Sequence, residues 1–279
     1  MSASPLLVLD IGNTHVVLGI YNRSDGKTWA DPDSDPPPEL KIRRRLATHS
    51  GRTADEAWIL VKMLCIDAGI DPSDIREVAI AGVAPKIGMV YTELSRQHLG
   101  VEPFIIHGEA PGFVNLYRNP RAVGADRVCD AVAGFEKYGG PLLILDFGTA
   151  VTIDVIGREG EYMGGIILPG LHTAVDALRR AAALLPAVEL SMPDKVIGRT
   201  TDESIRTGIM RGTVEALKGL IREVKAELNA PDAGVISTGG MARDVIPFLP
   251  EVIAHEPDLV LEGIRILYRR HLARQSEAG

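Results

Sequence analysis

The 279-residue sequence predicts an α/β fold of two similar domains with a cleft between them. The first observation is an internal repeat, since residues 6–14 read LLVLDIGNT and residues 142–150 read LLILDFGTA. Each run is apolar, ends in Asp-x-Gly followed by Asn or Thr, and precedes another apolar run. The second observation is that strand and helix patterns alternate through both halves. We therefore expect domains at 1–140 and 141–279.

Local patterns predict the elements that follow each repeat. Thr53-Ala54-Asp55-Glu56 is a capping box and opens an amphipathic helix. Thr201 is the expected N-cap of the longest helical pattern, at 201–229. An acidic, proline-rich stretch within 22–41 is expected as a loop between two strands. The other expected strands lie at 77–85, 103–107, 161–170 and 235–238, and the other helices at 86–99, 124–138, 171–185 and 257–272.

Composition excludes several classes of protein. With 46% hydrophobic and 24% charged residues, the chain has the balance of a folded globular protein. The net charge of −7 gives no overall electrostatic support for nucleic-acid binding. The basic run at 41–45 is the exception, and we expect it to line a solvated strand edge because no aromatic or helical pattern accompanies it. We therefore expect no nucleic-acid partner.

Cysteines, histidines and apolar runs indicate the compartment. Cys65 and Cys129 have no metal-ligand spacing, so we expect free core thiols in a reducing compartment. The seven histidines are scattered, which argues against a histidine-built metal site. The first apolar run is interrupted by Asp10 and has no basic segment before it, and no run approaches the ~18 apolar residues of a membrane helix. We therefore expect a cytoplasmic protein with no membrane partner.

The repeated turns have the chemistry of a phosphate and metal site. Gly12 and Gly148 allow the backbone to approach an anion, and successive turn N–H groups can bind it. Asp10 and Asp146 can hold a hard cation directly or through water. A single turn of this kind would more simply be an ordinary hairpin. The nine-residue repeat favours two turns that grip the β- and γ-phosphates of ATP.

A third turn, Thr238-Gly239-Gly240, also follows a predicted strand, whose carboxyl end is where α/β folds bind ligands. No Walker P-loop and no protein-kinase signature occurs in the sequence. Three such turns resemble the actin-like ATPase superfamily, which includes sugar kinases, heat-shock-70 proteins and actin. The resemblance implies two ribonuclease-H-like (actin-like) domains with an interdomain nucleotide cleft.

Within that superfamily the chain resembles type III pantothenate kinase over nearly its whole length. The motifs occur in order: DIGNT at 10–14, NPxxVGADR at 119–127, DFGTA at 146–150, YMGG at 162–165, STGG at 237–240 and DLxLEG at 258–263. The resemblance implies ATP-dependent phosphorylation of the 4′-hydroxyl of pantothenate, the first step toward coenzyme A.

The resemblance also implies roles for individual residues. Asp126 matches the family's general base, and a carboxylate suits a phosphoryl transfer that mainly needs orientation and late proton removal. Without the resemblance, Asp126 and Arg127 would be read as a surface charge pair and Tyr117 as a loop-packing aromatic. The implied pantothenate-binding residues are Tyr117, Gly124, Ala125, Asp126, Arg127 and Thr201. The implied ATP-binding residues are Asp10, Ile11, Gly12, Asn13, Thr14, His15, Val16, Val17, Thr149, Gly239 and Gly240.

Cations and a partner subunit follow from the same resemblance. Asp146 matches the residue that binds a monovalent cation, K⁺ or NH₄⁺, and Asp10 is expected to hold Mg²⁺ through water. The family works as a homodimer, in which Thr201 reaches the pantothenate of the neighbouring subunit.

Some positions depart from the family pattern without removing an acid, a base or a phosphate-turn glycine. His15 and Asp130 stand where Asn is common, and Arg44 stands where Trp is common. Ala81-Gly82 replaces a common Ser-Ser, and about a dozen residues within 22–41 resemble an insertion, which surface loops tolerate.

Three alternatives remain at the level of sequence. A non-catalytic accessory transcription regulator of the same family would be free to lose Asp126, Arg127 or Asp146, yet all three are present. An actin-like kinase for another small alcohol, such as a sugar, or for acetate would share the fold, and the GADR segment with Tyr117 argues against it. An actin-like filament protein has little support from the short chain and its acidic loop.

Overall fold

The computed structural model describes residues 4–23, 28–30, 38–82, 84–181 and 188–278. Residues 24–27 and 31–37 of the predicted acidic loop, and 182–185 of a predicted helix, lie outside the described residues. The strands are β1 Leu6–Ile11, β2 His15–Asn22, β3 Glu39–Ala47, β4 Glu77–Gly82, β5 Phe104–Ile106, β6 Leu142–Phe147, β7 Ala150–Ile156, β8 Tyr162–Pro169, β9 Gly234–Thr238 and β10 Ala254–His255. The helices are α1 Ala54–Asp67, α2 Pro85–Leu94, α3 Ala125–Tyr138, α4 Leu171–Ala181, α5 Thr201–Arg206, α6 Gly212–Glu227, α7 Ala242–Val245 and α8 Leu259–Ala278.

The chain divides into two compact units, one comprising residues up to Ala133 together with those from Leu259 onward, and the other Gly134–Asp258. The first unit has a five-stranded sheet in the order β3-β2-β1-β4-β5, and the second has the order β8-β7-β6-β9-β10. In the first sheet β1 pairs antiparallel with β2 and parallel with β4. In the second sheet β6 pairs in the same way, antiparallel with β7 and parallel with β9. The repeat in the sequence is therefore a repeat of topology.

The central strands of each sheet are buried because they are continuous apolar runs. Leu7, Leu9 and Ile11 of β1 belong to a core with residues of α1 and α2. In the second unit, Leu143 and Leu145 of β6 belong to a core with residues of α4 and α6. Burial of both faces is expected of parallel strands that helices cover.

The last helix joins the first unit, whereas the boundary predicted at 140/141 placed it in the second. Helix α8 packs against β1, β4 and β5, and its Leu261, Ile264 and Leu267 are fully buried. Gly263 permits the contact with α3, because a Cβ atom at this position would lie 2.0 Å from the carbonyl oxygen of Cys129. The predicted boundary therefore needs correction, because burial of this apolar stripe decides where α8 packs.

Most predicted elements are present, with shorter or interrupted bounds. The capping box at Thr53 is confirmed, since Thr53 Oγ1 accepts from the N–H of Glu56 and the Glu56 carboxylate accepts from the N–H of Thr53. The predicted helix at 86–99 is α2 followed by a π-helical turn, Ser95–Leu99. A second π-helical turn, Thr207–Arg211, separates α5 from α6.

Several predictions about charge and thiols are also confirmed. The basic run lies on β3, which is an edge strand, and Arg43, Arg44 and Arg45 are exposed. Cys65 and Cys129 are buried free thiols, and burial raises the pKa of Cys65 to about 11. None of the described helices is long and apolar enough to cross a membrane.

Candidate active site

The first phosphate turn closes the β1–β2 hairpin. The Gly12 N–H donates to the His15 carbonyl at 2.9 Å, and the Thr48 hydroxyl donates to the Gly12 carbonyl at 2.8 Å. The Gly12 amide is thus engaged inside the turn. Asn13 and Thr14 at its tip are exposed. A phosphate would therefore meet the tip of the turn and not the Gly12 N–H.

The other predicted ATP-binding residues of this turn differ in whether their side chains are exposed to a nucleotide. Ile11, Val16 and Val17 are buried in the core, so only their backbone atoms could contact a nucleotide. His15 is exposed at the start of β2. Partial burial, aided by the charge of Arg45, lowers the pKa of His15 below its usual range.

Asp126 lies in the first turn of α3, which begins at Ala125, and is half-buried. Burial raises the pKa of the Asp126 carboxyl above its usual range, although the N–H and the charge of Arg127 lower it in part. The Arg127 N–H donates to Asp126 Oδ1 at 2.8 Å, which fixes the orientation of the carboxylate. A carboxyl with a raised pKa in a partly desolvated position suits proton transfer.

Asp10 and Asp126 both act electrostatically on one buried thiol. Burial raises the pKa of Cys129 well above its usual range, and the charges of Asp130, Asp10 and Asp126 raise it further. Asp10 and Asp126 belong to the same unit of the chain. Sequence reasoning treated Asp130 only as a departure from the family pattern. Its spacing of four residues from Asp126 could have placed both carboxylates on one helix face.

The segment between β5 and α3, which carries Tyr117, is organised around Asn115. Its side-chain amide donates to the carbonyls of Gly108 at 3.0 Å and Pro120 at 3.4 Å, and its Oδ1 accepts from the Tyr117 N–H at 3.0 Å. Tyr117 is 39% exposed. The loop leads directly into Gly124 and Ala125 at the start of α3. Asn115 is a residue that the sequence reasoning missed, and its place in a Gly/Asn/Pro-rich loop was the available signal.

The second turn closes the β6–β7 hairpin and is one residue shorter than the first. The Gly148 N–H donates to the carbonyl of Ala150, two residues on, at 2.9 Å, whereas Gly12 donates to His15, three residues on. Thr149 at the turn is exposed, and its carbonyl accepts from the Gly170 N–H at 3.2 Å and from the Thr173 hydroxyl at 2.7 Å. The Thr149 backbone is therefore held by the start of α4.

Gly239 brings the third turn against Asp146. Asp146 pairs with Thr238 across the parallel strands β6 and β9. Gly239 follows with φ of +89°, and a Cβ atom there would lie 2.4 Å from Asp146 Oδ1 and 2.6 Å from the Phe147 nitrogen. Only a glycine fits this position. Gly240 is exposed beside it.

The predicted N-cap at Thr201 is wrong by one residue. Thr200 is the N-cap of α5, since its hydroxyl accepts from the N–H of Glu203 at 3.2 Å. Thr201 is the first residue of the helix and is exposed. The extended backbone that an N-cap requires occurs at Thr200, and adjacent threonines in the sequence leave this choice undecided.

The described residues contain no group of three or more His, Cys, Asp or Glu side chains that could hold a metal ion by themselves. The donor chemistry fits cations that keep water or phosphate among their ligands. Asp10 offers a half-buried carboxylate at the phosphate turn. Asp146 offers another, pressed against the Gly239 backbone. Both are oxygen donors, as Mg²⁺ and K⁺ require.

A family model for type III pantothenate kinase matches residues 6–223. The chain belongs to the type III pantothenate kinase family. It is 40% identical over 266 residues to the type III pantothenate kinase of Thermomicrobium roseum, covering 95% of this chain and 97% of that protein. It is 42% identical over 268 residues to that of Geobacter sulfurreducens, covering 95% and 99%.

Membership of the pantothenate kinase family confirms the predicted activity. The chain is an ATP-dependent kinase that phosphorylates pantothenate in coenzyme A biosynthesis. Of the functions that the sequence left open, the kinase is the one that the comparisons support.

Solved structures confirm the fold. A Campylobacter jejuni protein described as a Baf family transcriptional activator has a TM-score of 0.58 and 16% identity, covering 95% of this chain and 98% of that one. The activator of 2-hydroxyisocaproyl-CoA dehydratase from Clostridium difficile, solved with bound ADPNP, has a TM-score of 0.54 and 14% identity, covering 98% and 97%. At such identities the likeness extends to the α/β fold alone.

Proposed function

We propose that Asp126 is the general base that accepts the proton of the pantothenate 4′-hydroxyl while the γ-phosphoryl group of ATP is transferred. The observation that carries this proposal is the raised pKa of a half-buried carboxylate that the Arg127 N–H orients. General bases of this kind contribute about 10²- to 10⁴-fold to the rate. Arg127 pairs with the pantothenate carboxylate or with the transferring group.

The two phosphate turns hold the nucleotide. The exposed tip at Asn13 and Thr14 contacts phosphate oxygens, and Asp10 holds Mg²⁺ through water. Mg²⁺, when bound, neutralises the charge of the phosphates. Thr149, Gly239 and Gly240 contact ATP from the second unit. Support comes from the exposure of Asn13, Thr14, Thr149 and Gly240, and from the charges of Asp10 and Asp126, which both act on Cys129.

Asp146 binds the monovalent cation, K⁺ or NH₄⁺. Support comes from its half-buried carboxylate, which lies beside the backbone of Gly239 in the turn that follows β9. A cation at Asp146 offsets part of the triphosphate charge.

Pantothenate contacts Tyr117 and the 124–127 segment, and Thr201 completes the site of a second subunit in a homodimer. Support comes from the exposure of Tyr117 and of Thr201, whose neighbour Thr200 performs the capping. The buried free thiols favour the cytoplasm as the compartment.

The proposal is tested by ADP release from ATP with Mg²⁺ and K⁺, with and without pantothenate. Asp126→Asn keeps the side-chain shape and the Oδ1 acceptor, so we expect retained ATP binding and a loss of turnover of about 10²-fold or more. Asp130→Asn is the matched control, four residues along the same helix, and we expect a change of only a few-fold. Near-normal turnover in Asp126→Asn would remove Asp126 from the role of base.

A further inference from the structure

A buried polar chain leads from the interior of the second sheet to the cation site proposed at Asp146. Thr152 pairs with Asp146 across the antiparallel strands β6 and β7. Directly opposed side chains share a face, with Cβ atoms about 4.5–5.5 Å apart. Asp154 follows Thr152 by two residues and therefore points to the same face. Tyr162 begins β8, the next strand.

Hydrogen bonds connect the members of this chain. The Tyr162 hydroxyl donates to Asp154 Oδ1 at 2.8 Å, and the Thr152 hydroxyl donates to Asp154 Oδ2 at 3.1 Å. Asp154 and Tyr162 have no exposed surface, Thr152 is 8% exposed, and Asp146 is half-buried. Exposure thus rises from the interior toward Asp146.

The direction of the Thr152 bond decides what Thr152 offers to its neighbours. A threonine hydroxyl has one proton and two acceptor lone pairs. Since that proton is donated to Asp154, the oxygen offers only lone pairs in other directions. The Thr152 oxygen and the Asp146 carboxylate are then two acceptors side by side on one face. Two adjacent acceptors cannot bond each other, but they can share a cation.

We propose that Thr152 Oγ1 is a ligand of the monovalent cation at Asp146 and that Asp154 is the positioning residue that orients it. This inference rests on the cation role proposed for Asp146. Oxygen ligands that replace water are what K⁺ requires. Asp154 also has a structural role, because the bond that it accepts from Tyr162 connects β7 to β8, whereas its bond with Thr152 lies within β7.

Matched substitutions separate cation binding from structural support. Thr152→Val removes the oxygen and keeps the shape, whereas Thr152→Ser keeps the oxygen. Tyr162→Phe removes one bond to Asp154 and leaves the bond between Asp154 and Thr152. A merely structural network would make Thr152→Val and Tyr162→Phe alike in their response to K⁺. If Thr152 is a cation ligand that Asp154 orients, only Thr152→Val and Asp154→Asn should respond more weakly to K⁺ than the wild type does.

Two readouts are measured at constant ionic strength, with Na⁺ replacing K⁺. The first is the K⁺ concentration that gives half-maximal ADP release. The second is the rise in melting temperature that K⁺ produces over Na⁺ in protein bound to Mg²⁺ and a non-hydrolysable ATP analogue, since a ligand of the native state stabilises it. In Thr152→Val we expect half-saturation at about tenfold or more higher K⁺, as for loss of one contact to a charged group. We also expect K⁺ to raise the melting temperature of this variant over its value in Na⁺ by less than it does in the wild type.

In Thr152→Ser and Tyr162→Phe we expect half-maximal ADP release at the same K⁺ concentration as in the wild type. This holds even if both variants melt at a lower temperature than the wild type in K⁺ and in Na⁺ alike. Unchanged half-saturation in Thr152→Val, with a wild type that responds to K⁺, would overturn this inference and leave the role of Asp146 intact. A wild type that does not distinguish K⁺ from Na⁺ would overturn the Asp146 proposal and this inference together.

Discussion

The backbone of Gly239 lies against the carboxylate of Asp146, so that a Cβ atom on Gly239 would stand 2.4 Å from Asp146 Oδ1. Strand pairing produces this contact, because Asp146 and Thr238 are partners in parallel strands and Gly239 turns away at φ of +89°. The cation site proposed at Asp146 and the proposed nucleotide turn are therefore mechanically linked within the second unit.

We expect Gly239→Ala to disrupt both features. The new methyl group must displace the Asp146 carboxylate or the Phe147 backbone, and alanine also disfavours a positive φ. The KM for ATP and the half-saturating K⁺ should both rise, with a melting temperature lower than that of the wild type. Gly219→Ala, in α6 with open space around its Cβ position, is the control. It should leave the KM for ATP and the half-saturating K⁺ unchanged and should not lower the melting temperature, because alanine favours a helix more than glycine does. Wild-type ATP and K⁺ dependence in Gly239→Ala would contradict this linkage.

Adjacent threonines at the start of α5 should have separable roles. Thr200→Ala removes the cap of the helix and should lower the free energy of unfolding by about 0.5–2 kcal/mol. Thr201→Ala should leave stability nearly unchanged and raise the KM for pantothenate more than the KM for ATP. Denaturant unfolding and steady-state kinetics of both variants test this pair. A Thr201 variant with altered ATP dependence alone would argue against its proposed contact across the dimer.

The Asp126 carboxylate should lower the free energy of unfolding at neutral pH. Because its pKa is raised on folding, the native state holds this proton to higher pH than the unfolded chain does. Stability from this group is therefore present in acid and declines as pH rises through the folded pKa. Asp126→Asn does not titrate, so at pH 7 it should unfold at the same or a higher temperature than the wild type. The difference should disappear as pH falls below the unfolded pKa, about 3.9.

Thermal unfolding of both proteins from pH 3.5 to 8 measures this dependence. A variant that is less stable than the wild type at pH 7, by a margin that grows with pH, would show that the carboxylate stabilises the fold. Such a result would weaken the case for a partly desolvated base.

Gly263 should be essential for docking the last helix. A methyl group there would lie 2.0 Å from the Cys129 carbonyl oxygen, and a close-packed interior has no room to accept it. We expect Gly263→Ala to lower the free energy of unfolding by about 1–3 kcal/mol, as overpacking does. Since Cys129 lies one turn after Asp126 in α3, turnover should fall as well. Gly88→Ala, in α2 with nothing near its Cβ position, is the matched helical control.

Local sequence was sufficient for features that depend on neighbouring residues. The Thr53 capping box, the two Asp-x-Gly hairpins and the strand before Gly239 could all be predicted, because caps, tight turns and apolar periodicity are set within a few residues. Two copies of one pattern also predicted two copies of one topology. The choice between Thr200 and Thr201 failed because it depends on the local backbone path and not on residue type.

The sequence by itself determined the α/β class, the repeat and the kinase family, and it supplied the candidate residues for the proposed chemistry. The tertiary structure decided which distant side chains meet. Packing placed α8 in the first unit through Gly263 and Cys129. Strand register set Thr152 beside Asp146. The action of the Asp10 and Asp126 charges on the same Cys129 thiol also required the folded chain. These contacts join residues far apart in sequence, and their free energy comes from burial and pairing that no local pattern encodes.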